Sequence, residues 1–502
     1  MKYIIGIDAG TTGVKSALFD LEGHEVLVES RDNEPDRIGE NMIEQDMTVH
    51  WEKVLDTLKG IGHSDLVDPA DIIAIGLTGQ GEGCWLMDRE GNPVQPASLW
   101  CDGRANESIA KLTEEQKRQI HLTTGTPALP GACLLQLVWY KEHRPETLDR
   151  VGTIFGDSKD WIRYKLTGDI YTDYSDPGCS LIDLKRNEYA FDLIESLGLG
   201  EYIPLLPPLL PSEACGGRLT AANAAHTNLP QGLPVVMGAL DVMACTVGLG
   251  AVNDGDTLAI LGTTCCTNVI LNQRRADELM GKARVEILGV QDMYLVMMAT
   301  MAGTPNLDWA LNEISDSKSF AAVEARIREI PAGSGGVIFH PYLGSAGERA
   351  PFYSPNARAS FFGLNATTTR YHLVRAVYES IAFMIKDCLN DYPSENPLAI
   401  CGGGAKSKVW AQIISDVTGR RVLVHDGTEF GAKGGAMMAG VMVGQFADIH
   451  EAAQAMCNIH SEYQPQATAA TVYDQLYRLY REARLKFMPL WDLRADIMRQ
   501  VA

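Results

Sequence analysis

Residues 3–20 read Tyr-Ile-Ile-Gly-Ile-Asp-Ala-Gly-Thr-Thr-Gly-Val-Lys-Ser-Ala-Leu-Phe-Asp: a short apolar run closed by Asp8, a Gly/Thr turn, and an alternating run that ends before Glu22-Gly23. The pattern predicts a hairpin, with Tyr3 to Asp8 as a buried strand and Val14 to Asp20 as its partner. The unit recurs later, where Thr257 to Leu261 is followed by Gly262-Thr263-Thr264 and then by Cys266 to Leu271. Two copies about 250 residues apart, near half the chain, are what two similarly built domains would give. The polar, Gly-containing stretch 250–255 marks the boundary between them.

Strand and helix patterns alternate around both hairpins. Ile72 to Leu77 and Trp85 to Asp88 read as strands, Ala105 to Leu112 and Asp157 to Leu166 as helices. In the second half His372 to Tyr392 has helical spacing, Leu398 to Cys401 reads as a strand, Val409 to Thr418 as a helix and Gly431 to Val443 as a small-residue helix. Pro204 to Pro211 reads as an extended surface connection. The chain is therefore α/β, with domains expected over residues 1–249 and 250–490 and a tail over 491–502.

Bulk composition bounds the function. With 502 residues, 46% hydrophobic and 21% charged, the chain suits two folded domains of ordinary size. Forty-three basic against 64 acidic side chains leave a formal charge of −21, which repels phosphate backbones and argues against nucleic acid as a partner. An anionic ligand must then be met by local devices: backbone amides, a few cations and a divalent metal. Eleven cysteines without a CxxC pair favour a reduced cytoplasm over secretion. No segment reads as a signal peptide or a membrane span, so a soluble protein with no membrane partner is expected.

Three glycine-rich turns carry the first chemical signal. In the first hairpin, the amides and hydroxyls of Thr11 and Thr12 suit phosphate oxygens, Asp8 suits hydrated Mg2+, and Lys15 offsets charge. The GxxxxGK[ST] pattern of Walker-type NTPases is absent. Gly262 and Thr263 form the corresponding turn of the second hairpin. Gly402, Gly403 and Gly404, followed by Lys406 and Ser407, come after a strand and open a helix, where bare backbone lets a nucleoside approach and the helix N-terminus favours anions.

Together with Ala359-Ser360-Phe361-Phe362-Gly363-Leu364, His372-Leu373 and Ala376-Val377-Tyr378-Glu379, these turns resemble the FGGY family of carbohydrate kinases over nearly the whole chain. The resemblance implies two ribonuclease-H-like (actin-like ATPase) domains with a central catalytic cleft, sugar on the first domain and ATP with Mg2+ on the second. It makes Asp241 the catalytic base, a role that phosphoryl transfer to an alcohol requires of some carboxylate. An isolated Asp at that point could instead cap a helix. Substrate contacts are expected from Gln80, Glu82, Trp100, Asp102 and Asp241. Glu82 stands where glycerol kinases carry a glutamate and typical D-xylulose kinases a histidine, and Gly81 departs from both. The Gly79-Gln80-Gly81-Glu82-Gly83 loop is most similar to erythritol and L-xylulose kinases, which implies an open-chain polyol or ketose of four or five carbons. The family's usual lysine in its first signature is missing from Gly131 to Trp139, where Gly-Ala-Cys-Leu-Leu-Gln-Leu-Val-Trp stands. Arg349, in the segment similar to the family's GERxP region, reads as a structural residue pairing with Glu348 or a loop carbonyl. The resemblance also makes a homodimer possible. The alternatives are a nucleotide-operated switch of the actin or Hsp70 kind and a sugar sensor without turnover; a kinase needs both Asp241 as base and Glu82 in a polyol pocket.

Overall fold

Strands β1 (Tyr3–Ala9) and β2 (Gly13–Asp20) pair antiparallel with Asp8 opposite Lys15, in a computed structural model that describes residues 1–501. Ile4, Ile5 and Ile7 of β1 are fully buried, each contributing about 1.5–3 kcal/mol of hydrophobic stabilisation. Strand β3 (Glu25–Asp32) continues the antiparallel run beside β2. On the other side of β1 lies β4 (Ile72–Gly79) in parallel register, then β6 (Pro234–Val236), also parallel, and β5 (Cys215–Arg218), antiparallel to β6. The order is β5-β6-β4-β1-β2-β3, with the short β7 (Ala239–Leu240) parallel to the end of β4.

The chain forms two units. The first comprises Met1–Asp254, Ile270–Val296 and Glu429–Asn458; the second comprises Gly255–Val269, Met297–Thr428 and Ile459–Ala502. In the first, the small-residue helix Phe430–Met442 packs on β1, β4 and the helix Asp241–Gly248. Its composition follows from how close it sits: a Cβ on Gly76 of β4 would lie 2.2 Å from the carbonyl carbon of Gly435. The helix Ser158–Thr167 is capped by Asp157, which accepts the Asp160 N–H, and stopped by Gly168 in the left-handed conformation. Its Lys159 is fully buried against Asp157 at 2.7 Å, Asp173 at 2.9 Å and Asp160 at 3.0 Å.

The second unit repeats the plan. Strands β8 (Thr257–Leu261) and β9 (Cys265–Asn272) form its hairpin, and β10 (Leu398–Cys401) and β11 (Val422–His425) add in parallel beside β8, followed by antiparallel β12 (Ile459–Tyr463). Its long helix Arg370–Leu389 is held by Glu379, whose buried carboxylate accepts from Arg375 at 2.8 Å, Tyr473 at 2.7 Å, Ser334 at 2.8 Å and the Gly333 N–H at 3.0 Å. Removing one partner from such a buried pair costs about 3–5 kcal/mol.

Several sequence expectations shift by one to three residues at their ends, the helix expected over His372 to Tyr392 running Arg370–Leu389. Larger differences occur at two places. Pro204 and Leu205 belong to a 3-10 turn, Gly200–Leu205, so the extended connection starts only after it. Residues from Trp491 onward, expected as a tail, continue the helix Ala467–Val501, and Trp491 itself is buried against Tyr342 and Phe352. No helix among the described residues is long and apolar enough to cross a membrane.

Candidate active site

Three parallel strands of the first unit end side by side. Ala9 of β1 and Leu240 of β7 both pair with Gly79 of β4, one on each side, and the Gln80 N–H donates to the Ala9 carbonyl at 3.1 Å. Asp8, the loop 80–83 and Asp241 therefore emerge at one edge of one sheet, the carboxyl edge at which open α/β sheets bind ligands.

Asp241 is the first residue of the helix Asp241–Gly248, and its carboxylate accepts the Val242 N–H at 2.7 Å. Its pKa is pushed up to about 7, first by burial and then by the charges of Asp8 and Glu82, against the opposing pull of the Val242 bond. Asp8 is pushed up to about 6 by burial and by Glu429, while Lys15 acts the other way. A carboxylate poised near neutrality can accept a proton from an alcohol, the property a general base needs. Lys15 is ion-paired with Glu429 at 2.9 Å. Thr12, at the turn, is exposed.

Glu82 has a φ of 53°, in the left-handed region that residues with a Cβ seldom occupy. Asp176 holds it there by accepting the Glu82 N–H at 2.7 Å. Gly81 fits because nothing larger can: a Cβ there would lie 2.0 Å from Leu240 Cδ1 and 2.7 Å from Asp176 Oδ1. The strands Gly83–Met87 and Ala97–Leu99 pair with Gly83 opposite Leu99, so Glu82 and Trp100 flank the same end of that pairing. Trp100 is half exposed and donates its indole N–H to Thr11 Oγ1 at 3.1 Å. Thr11 in turn donates to Gln80 Oε1 at 2.8 Å, and Gln80 Nε2 donates to Gln45 at 2.5 Å. A hydrogen-bonded chain thus fixes the indole edge while its ring remains open.

Two expected contacts have other duties. Asp102 is fully buried: Oδ1 accepts the Arg104 N–H and Nε, each at 2.8 Å, and Oδ2 accepts the Ile43 N–H at 2.6 Å and Arg104 Nη2 at 2.8 Å. It anchors the turn after Trp100 and offers no lone pair to a substrate. Ser407 caps the helix Lys408–Thr418 by accepting the Trp410 N–H at 3.0 Å, and its own hydroxyl donates to Glu324.

The remaining nucleotide candidates lie together in the second unit, at the ends of the adjacent parallel strands β8 and β10. Gly402 has a φ of 87° and passes so close to β8 that a Cβ would lie 2.7 Å from the Leu261 carbonyl. Gly403 has open space where a side chain would be, and Gly404 is buried against Trp410. The Gly262 carbonyl accepts the Thr304 N–H at 2.8 Å, which ties the Gly262-Thr263 turn to the helix that follows. Nearby, Glu348 is spent on the backbone N–H groups of Met301 and Arg349, both at 2.7 Å, rather than on the Arg349 guanidinium, whose Nε lies 2.9 Å from the Met301 sulfur.

Sequence reasoning missed Arg284, Asp176 and Glu429. Arg284 pairs with Glu82 from a distant part of the chain. Its one local signal is Glu286, a charged residue in Val285–Ile287, a strand that is otherwise apolar and buried throughout.

Comparison with known proteins shows the family of the chain. The FGGY family of carbohydrate kinases has an N-terminal domain model that matches residues 3–248 and a C-terminal domain model that matches 257–443. The xylulose kinase of Bacillus subtilis (strain 168) is 30% identical over 96% of both chains. The erythritol kinase of Brucella abortus (strain 2308) is 30% identical over 97% of both. The crystal structure of xylulose kinase from Rhodospirillum rubrum superimposes with a TM-score of 0.86 at 26% identity, over 98% of this chain and all of that one (100%).

Proposed function

Because the chain belongs to the FGGY family of carbohydrate kinases, we propose that it transfers the γ-phosphoryl group of ATP to a hydroxyl of an open-chain polyol or ketose of four or five carbons. The observation that carries this reading is Asp241: a carboxylate at the start of a helix, raised to about 7, beside Asp8 and within the field of Glu82. In this reading Asp241 takes the proton of the attacking hydroxyl, which makes the oxygen nucleophilic as the bond to phosphorus forms. Glu82 accepts hydroxyls further along the acceptor, and the open face of Trp100 covers its carbon chain. The names of the two curated relatives, one acting on xylulose and one on erythritol, support a substrate of this size.

FGGY carbohydrate kinases draw the phosphoryl group from ATP. Within the first unit we assign phosphate-handling amides to the turn at Thr11-Thr12, and within the second to the turns at Gly262-Thr263 and Gly402 to Gly404. Two buried carboxylates, Asp241 raised by burial and by Asp8 and Asp8 raised by burial and by Glu429, are a hard-oxygen donor set short of positive charge, which fits Mg2+. Asp8 would hold that ion through its water shell, and the ion would supply charge neutralisation to the phosphate oxygens.

The test is ADP release with Mg-ATP and a panel of tetritols, pentitols, ketopentoses and glycerol, run beside Asp241→Asn. Turnover on a panel member that disappears in the variant is the expected result. Sugar-independent hydrolysis, or turnover that survives the substitution, would overturn the assignment.

A further inference from the structure

The segment Ile270–Val296 belongs to the first unit and is pinned there by two bonds: His121 Nε2 with the Ala283 carbonyl at 2.9 Å, and the Val285 N–H to the Gly125 carbonyl at 2.9 Å. Between those anchors stands Arg284. Its guanidinium reaches Glu82 with Nη2 and Glu286 with Nε at 2.6 Å. Glu286 is wholly buried, and the Glu82 and Arg284 side chains are only 11% and 23% exposed.

Two consequences follow from this geometry. A Glu side chain has three rotatable bonds and a free carboxylate would sample many orientations; the bond from Arg284 Nη2 to Glu82 Oε1 restricts them. The Glu82 backbone is already committed by its left-handed φ and the Asp176 bond, so the pair with Arg284 completes the fixation. Second, one guanidinium is shared by two carboxylates, so the trio carries a net negative charge.

Resting on the reading of Glu82 and Asp241 as the acceptor site, we infer that Arg284 is its specificity-determining residue: it locks Glu82 as a hydroxyl acceptor and, with its charge consumed by Glu82 and Glu286, makes the site select neutral polyols and ketoses over acids of the same carbon skeleton. An incoming carboxylate beside Glu82 would meet a like charge whose counter-ion, Arg284, is already shared with Glu286, and its desolvation would go uncompensated. A neutral chain of hydroxyls instead finds oriented acceptors.

The experiment is a kinase assay on matched pairs: erythritol with erythronate, xylitol with xylonate, and xylulose beside them. The wild type should favour the best neutral member over its acid by about 100-fold or more in kcat/KM. Arg284→Gln should raise KM for the neutral acceptor about tenfold with kcat little changed, and Arg284→Lys should recover part of that loss. Glu82→Gln, isosteric and one charge fewer, should shift the neutral-to-acid ratio at least about tenfold toward the acid, because it releases Arg284 from one carboxylate. Equal use of acid and neutral substrates by the wild type, or a ratio unmoved in Glu82→Gln, would sink the inference. If the wild type turns over a neutral acceptor and Asp241→Asn abolishes it while the Arg284 and Glu82 variants move nothing, only the inference fails. If no pair is phosphorylated at all, both it and the acceptor-site reading fall.

Discussion

Lys15 of β2 and Glu429, separated by 414 residues of sequence, form an ion pair at 2.9 Å beside Asp8. The lysine expected to serve a nucleotide phosphate is thus also the counter-charge to a glutamate that pushes Asp8 upward. In Lys15→Met that push would go unopposed, so Asp8 should protonate at a higher pH and activity should fall off earlier on acidification. Stability should drop by only about 1 kcal/mol or less, since Lys15 is half exposed. A pH–rate profile with a urea melt reads both, and an acid limb that moves downward contradicts the assignment.

Asp241 should appear in the pH dependence of kcat/KM as an acid limb with a midpoint near pH 7, activity being lost below it as the base takes up a proton. Glu82→Gln removes one of the charges that raise Asp241, so the limb should move to lower pH in the residual activity. A limb that stays in place would detach Glu82 from the base.

Asp241→Asn should cut turnover by about 10²–10⁴-fold and yet stabilise the fold at alkaline pH. A carboxyl whose folded value lies above its ordinary one favours the native state below that ordinary value, and the benefit is lost as pH rises toward 7. The variant should therefore melt higher than wild type above pH 7, by about 2–4 °C for each kcal/mol relieved, with the difference vanishing near pH 4. Identical melting curves at pH 8 would mean that Asp241 is freely solvated.

Gly81→Ala should lower kcat/KM for the acceptor by about 10²-fold, the scale of an ångström-level misplacement at a reacting centre. The added methyl has no room between Leu240 and Asp176 and must displace either the Glu82 loop or the start of the Asp241 helix. Steady-state kinetics on a correctly folded variant decide it; unchanged constants would show that the loop yields freely.

Asp102→Ala should be a stability variant. It would leave Arg104 buried with Glu44 as its remaining carboxylate partner, at 2.7 Å, at a cost of about 3–5 kcal/mol. Denaturant melts should register this loss, while KM in protein that remains folded should shift little. A large rise in KM without a change in melting would restore Asp102 to the substrate contacts.

Both glycine hairpins and the strands that carry them were legible in the sequence because each is a local pattern: apolar run, turn residues, apolar run; Asp241 was singled out only by the family resemblance, since an isolated Asp at a helix start reads equally as a cap. The loop 79–83 could likewise be singled out by the resemblance of Gly-Gln-Gly-Glu-Gly to the family's loop. Arg284 could not, since its partner Glu82 lies 202 residues away and nothing in a linear pattern pairs them. Nor could the fate of Asp102 and Ser407 be read there: a carboxylate or hydroxyl in a loop looks the same whether it faces a ligand or satisfies its own backbone. Burial decides between those roles, and burial is set by packing from distant segments.

The helix Phe430–Met442 covers β1 and β4 so closely that glycine meets glycine across the contact. A nascent chain that has passed the first 254 residues through the ribosome has therefore made the sheet bearing Asp8, Glu82 and Asp241 but not its cover. That half of the enzyme must wait, with an apolar face bare, for the last part of translation. A gene fragment cut after Asp254 would encode a protein open on one side, prone to self-association, and no amount of care in choosing its endpoint would supply the missing helix.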